Sequence, residues 1–168
     1  DLHRALELAE VRAFYTVARG SSDAAANILS YEFMRELGKP MTSLPPSVFS
    51  VGEGVQMDNA LGLVISQSGA SEDLVRSTQG IKDQGGLVVA VTNEPGSRVE
   101  AAADVTLAID AGKERAVPAT KTVIGSVGVG LSLLAALKPD YAGRLRTSAA
   151  AFAAVGNLAT DQHQTLRA

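Results

Sequence analysis

Cysteine is absent from all 168 residues, which excludes disulfides, thiol nucleophiles and thiolate metal sites together. Tryptophan is absent too, and aromatic residues make up only 4% of the chain, too little for a base-stacking nucleic-acid platform. Histidine occurs twice, at His3 and His163 near the two ends, and both read as solvated helix residues. With no thiolate and no dense Asp/Glu cluster to join them, a metal site has no ligand set. Positive charge is in deficit: 15 Lys and Arg against 18 Asp and Glu leave a net charge of -3. No Lys/Arg block exists to follow a phosphate backbone, so neither DNA nor RNA is an expected partner. The uncharged run 123–137 is too short to span a bilayer comfortably, and the opening Asp1-Leu2-His3-Arg4 has neither a basic n-region nor an apolar signal core. The expectation is a cytoplasmic protein without a membrane partner.

What remains is a hydrophobic content of 46% in a length that suits one domain with its own core. An amphipathic helix is expected over 2–11, where Leu2, Leu6 and Ala9 recur among charged residues. The β-branched and aromatic stretch at 13–18 reads as the first strand, followed by the turn Arg19-Gly20-Ser21-Ser22-Asp23 and a helix over 24–37 that Gly38-Lys39-Pro40 stops. A short strand at 41–44, a short helix within 47–54, a buried strand at 61–65 and a helix over 72–84 come next. The run 87–92 is the clearest buried strand, with continuous apolar residues rather than alternation. A turn at 93–97, a short helix at 98–103 and a fifth strand at 105–109 complete the alternation. Strand and helix alternating at this spacing imply an α/β fold with five parallel strands joined by right-handed crossovers and helices on both faces. The glycine-rich helix over 123–137 is apolar nearly all round, which predicts a partner as well as its own sheet, and alanine-rich helices are expected over 141–168.

The chemistry concentrates where the strand 61–65 empties into Ser66-Gln67-Ser68-Gly69-Ala70-Ser71. A strand-to-helix turn presents backbone N–H groups without intrahelical partners, Gly69 lets that backbone approach a ligand, and the hydroxyls and amide add donors without charge. Ser71 is equally placed to be a plain helix cap. Gly20-Ser21-Ser22 repeats the plan after the first strand. In an open α/β sheet both turns lie outside the carboxyl ends of strands, where ligands bind, and together they read as one phosphate pocket. Other nucleotide and hydrolase signatures fail: there is no G-x-x-x-x-G-K-[ST], no strand followed by G-x-G-x-x-G, no G-x-S-x-G, and no histidine placed to activate a serine.

Arg19-Gly20-Ser21-Ser22-Asp23, Ser66-Gln67-Ser68-Gly69-Ala70-Ser71, Thr92-Asn93-Glu94-Pro95-Gly96-Ser97 and Ala119-Thr120-Lys121-Thr122, in this order and spacing, resemble the sugar isomerase (SIS) domain. The resemblance is to the first of the two SIS domains in the isomerase half of glutamine:fructose-6-phosphate amidotransferases, and to related phosphosugar isomerases and deaminases. It implies a flavodoxin-like five-stranded sheet and a domain over 1–168, with its core at about 13–137 and C-terminal helices at about 141–168, forming half of a tandem-SIS protein. It implies a hexose or amino-sugar 6-phosphate as ligand, no cofactor, and a second SIS domain or homodimer subunit as partner. Phosphate contacts carry over to Ser66, Gln67, Ser68 and Ser71; sugar contacts to Gly20, Ser21, Ser22, Val117 and Lys121, with Ala119 nearby. Pro118 stands where the family usually has a small residue, which removes one backbone donor. Lys121 also reads as a helix-start lysine paired with a nearby acid. In tandem members the acid/base residues lie largely in the second domain and the tail after it, so no catalytic residue is nominated, and Glu94 and Glu114 read as solvated loop positions. The alternatives are the sensor domain of a sugar-phosphate-responsive transcription regulator and a non-catalytic scaffold.

Overall fold

The run Ala60–Ser66 is buried at every position, and that continuous burial makes it the middle of the sheet. The structure, a computed structural model, describes residues 11–116 and 118–155. In chain order its elements are β1 (Ala13–Ala18), α1 (Ser21–Leu37), β2 (Met41–Ser43), α2 (Ser47–Ser50), β3 (Ala60–Ser66), α3 (Glu72–Asp83), β4 (Leu87–Thr92), α4 (Arg98–Ala102), β5 (Val105–Ala108), α5 (Lys121–Leu137) and α6 (Tyr141–Val155). The strands form one five-stranded sheet in the order β2-β1-β3-β4-β5, every pair parallel. The expected α/β architecture is the observed one. The helix expected over 2–11 falls outside the described residues, as does everything expected beyond Val155 and the proposed contact at Val117.

Alternation along the strands divides the core in two. Leu61, Leu63 and Ile65 of β3 join Phe14, Val89 and Val91 beneath Ala26, Leu29 and Phe33 of α1 and Leu133 and Leu134 of α5. Val64 turns the other way with Val17, Val88 and Ala90, against Phe49, Leu74, Ile81 and Val99 of the helices α2, α3 and α4. Each of these fully buried aliphatic side chains contributes about 1.5–3 kcal/mol of transfer free energy. At Gly62 an added Cβ would stand 2.8 Å from Ile81 Cδ1, so the small residue sets how closely α3 lies on β3.

Two departures from the sequence reading matter for the site. Helix α1 begins at Ser21 rather than at position 24, because Gly20 at φ 54 turns the chain sharply and Asp23 then sits favourably in the first turn. Ser21 and Ser22 are therefore first-turn helix residues, not loop residues. The helix α5 is not enclosed on all sides. Thr122, Ser126, Gly130, Leu133 and Leu134 face inward, and Gly130 lies so close to Leu29 that a Cβ would come within 2.4 Å of it. Ile124 of the same helix is 67% exposed, and Ile28 and Tyr31 of the neighbouring α1 are 54% and 79% exposed.

Candidate functional site

The strand order dictates where a ligand fits. The chain runs from β1 outward to β2 and then returns to the other side of β1 for β3, so the switch point lies between β1 and β3. In that register Ala18 pairs with Ile65, which makes Arg19-Gly20 and Ser66-Gln67 leave the sheet side by side. The two serine turns, far apart in sequence, form the two walls of one crevice.

Gly69 shapes the second wall. Its φ of +58 lies in the left-handed region, and an added Cβ would stand 2.2 Å from Ser97 Oγ. The turn is thereby curled tightly against the start of α4. Backbone bonds lock it there: Val99 N–H donates to the Gly69 carbonyl at 2.9 Å and Asn93 N–H to the Gln67 carbonyl at 3.1 Å. Inside the curl Ser66, only 5% exposed, accepts from Gly69 N–H at 3.0 Å, so this hydroxyl helps to build the loop. Ser68 accepts a long bond from Ala70 N–H at 3.4 Å, and Gln67 leans its amide on Glu94 at 3.4 Å. Ser71 occupies the N-cap position of α3 but makes no side-chain cap bond, and α1 likewise begins without one. The structure thus brings Gly20, Ser21, Ser22, Ser66, Gln67, Ser68 and Ser71 to one crevice, with Ser68 and Ser71 keeping the least committed hydroxyls of the second wall.

The start of α5 is arranged differently. Glu114 accepts from the backbone N–H groups of Arg115, Ala116, Thr120 and Thr122 at 3.0 to 3.2 Å, and from the Thr122 hydroxyl at 3.2 Å. These donors, Thr122 N–H foremost and then Thr120, hold its carboxyl down at about 2. The solvated loop reading of Glu114 is therefore corrected: it is an internal anion capping a helix eight positions away. Lys121, expected to meet either ligand or an acid, instead donates to the carbonyls of Ala111 at 3.2 Å and Lys113 at 2.9 Å. Asn93 binds the same loop from the other side, accepting from Ala111 N–H and donating to the Gly112 carbonyl, both at 2.9 Å. Among the described residues no group of three His, Asp or Glu side chains is placed to hold a metal ion, and no helix is long and apolar enough to cross a membrane.

Residues 7–136 match the SIS domain family. The chain is a SIS domain. It is 34% identical over 139 residues to the glutamine–fructose-6-phosphate aminotransferase of Pyrobaculum aerophilum, covering 80% of this chain and 23% of that protein. With a solved Silicibacter pomeroyi protein assigned as a phosphosugar isomerase it shares 41% identity at a TM-score of 0.79, over 86% of this chain and 45% of that one. The C-terminal domain of glucosamine-fructose-6-phosphate aminotransferase from Francisella tularensis has the same fold, with a TM-score of 0.76 at 23% identity over 88% of this chain and 44% of that one. This SIS domain is homologous to the isomerase part of those aminotransferases, and spans about a quarter of the length of the curated relatives it matches.

Three features of this SIS domain escaped the sequence reading. The inward turn of Ser66 depends on the curl at Gly69, which a string of serines does not reveal. The capping role of Glu114 had a signal, an acid shortly before a Thr-Lys-Thr helix start, but one read as solvated because nothing in the spacing showed the loop folding back. The ion pair of Arg19 with Asp73, at 2.8 Å, joins residues 54 positions apart and had no local signature.

Proposed function

We propose that this SIS domain binds the phosphate of a hexose or amino-sugar 6-phosphate at Ser66, Gln67, Ser68 and Ser71. Gly20, Ser21, Ser22, Val117 and Lys121 border the sugar. The domain then serves as the ligand-binding half of a sugar-phosphate isomerase, aminotransferase or deaminase. The observation that carries this reading is the crevice itself: two donor-rich turns leave the switch point together, each opening a helix that no side chain caps. Helix N-termini with open N–H groups and neutral hydroxyls suit a phosphate dianion. Ser66 contributes by holding the curl while its own proton stays free to point at the ligand.

Residues 1–168 then form one SIS domain of a tandem or homodimeric protein. A second lobe or subunit supplies the acid/base residues, and the exposed Ile28, Tyr31 and Ile124 on adjacent helices support such a partner. The pocket needs no cofactor, because its donors are hydroxyls and amides. A phosphosugar is a charged ligand that does not cross lipid unaided, which places the function in the cytoplasm. The sensor and scaffold readings have no observation of their own among the described residues.

The test is calorimetric titration of fructose 6-phosphate into the wild type and a Ser68→Ala/Ser71→Ala double variant. Hydrogen bonds to charged groups contribute about 1.5–3 kcal/mol each, so the double variant should bind at least about tenfold more weakly. Equal affinity in the two proteins would remove the pocket from residues 66–71.

A further inference from the structure

We propose that Arg19 is the cationic phosphate partner of this site and the residue by which it separates phosphorylated from unphosphorylated sugars. The inference rests on the phosphate reading of the crevice. Val17 packs in the core beneath α3, so alternation along β1 sends Arg19 to the same side of the sheet. The pairing of Ala18 with Ile65 puts Arg19 beside Ser66. From there its Nη1 donates to Asp73 Oδ2 at 2.8 Å, and Asp73 lies in the first turn of α3, two residues beyond Ser71. The side chain therefore runs from the end of β1 to the start of α3, across the mouth of the serine loop.

A guanidinium offers five N–H donors in a planar fork, and this one spends one of them on Asp73. The side chain is 65% exposed, which leaves the remaining donors open to a ligand. Neighbouring cations are committed elsewhere. Arg76 and Arg98 both pair with Glu72, at 3.2 and 2.7 Å, and Lys121 is held by loop carbonyls. A cation is needed here because Asp23, Glu72 and Asp73 occupy the first turns of the two helices that face the crevice. A dianion entering beside three carboxylates requires a counter-charge, and Arg19 is aimed at that spot with Asp73 fixing its position. An arginine fork binds phosphate in a bidentate manner that a neutral sugar hydroxyl cannot match.

The experiment titrates fructose 6-phosphate, with fructose as the neutral control, into the full-length protein at several salt concentrations. The variants are Arg19→Ala, Arg19→Lys, Arg19→Ala/Asp73→Asn and Ser68→Ala/Ser71→Ala, each first checked for an unchanged melting temperature. Arg19→Ala should weaken fructose 6-phosphate about tenfold or more and flatten the salt dependence, Arg19→Lys should recover most of the affinity, and fructose should bind no better to any variant. The Arg19→Ala/Asp73→Asn variant should stay as weak as Arg19→Ala, since a direct contact is missing in both. Recovery of wild-type affinity in that double variant would overturn the proposal, because Arg19 would then only screen Asp73. Wild-type affinity in Arg19→Ala, with binding lost in Ser68→Ala/Ser71→Ala, would overturn the role of Arg19 and leave the pocket standing. Loss in Arg19→Ala with no loss in the serine variant would sink the serine pocket instead.

Discussion

Helices α3 and α5 begin at the same edge of the same sheet, yet one start is left open and the other is filled. At α3 the cap residue Ser71 makes no cap bond and the turn before it presents hydroxyls outward. At α5 the protein supplies its own anion, Glu114, to the N–H groups of Thr120 and Thr122. Both helix starts attract negative charge for the same reason, the unsatisfied N–H groups of the first turn. Which of them can take a ligand is decided by whether a carboxylate is already there.

The contrast breaks most severely at Gly69. A Gly69→Ala variant must hold a Cβ in a left-handed backbone and push it against Ser97, at a combined cost of about 2–4 kcal/mol. Denaturant unfolding should show that loss, and phosphosugar binding should vanish with the curl. The filled start is probed by Glu114→Gln, whose amide nitrogen cannot accept from the N–H groups that one carboxylate oxygen serves. Because the folded carboxyl is held at about 2, below its ordinary 4.5, Glu114 contributes stability that is present above about pH 4.5 and lost as the pH falls toward 2. Melting temperatures across that window should fall less steeply in Glu114→Gln than in the wild type, and the variant should melt lower at pH 7. A parallel slope in both proteins would dismiss the carboxylate as a cap. The smallest effects sharpen the comparison at the level of single hydroxyls. Ser97 accepts from Glu100 N–H at the start of α4, so Ser97→Ala should cost about 1 kcal/mol. Ser71→Ala should cost under about 0.5 kcal/mol by the same thermal melts, since no cap bond is lost there.

The framework was open to reading because it depends on local pattern. Apolar runs at 61–65 and 87–92 could only be buried strands, and glycine- or serine-rich turns after them fixed the alternation. The position of the site followed from general behaviour of parallel sheets. What stayed hidden depends on the chain meeting itself. Ser21 and Ser22 looked like loop residues because serine is a turn former, whereas Gly20 had already made the turn and left them to the helix. Ser66 looked outward until Gly69 N–H was found on its oxygen. Glu114 and Arg19 find partners that lie across a loop or across the sheet, where sequence spacing carries no information.

The far end of the molecule sets a limit on how the domain can be handled. Glu36, at the end of α1, is gripped by Lys138 at 3.0 Å and Arg144 at 2.7 Å, and its carboxyl is drawn down to about 2, Arg144 acting first. Tyr141 is 5% exposed in the same core and donates to Glu32 at 2.9 Å. A protein shortened after Leu137 would keep all five strands and both serine turns, but would strip Glu36 of two cations and open the core at Tyr141. The smallest expressible unit that still presents the crevice therefore extends into α6, well past the last residue that shapes the site.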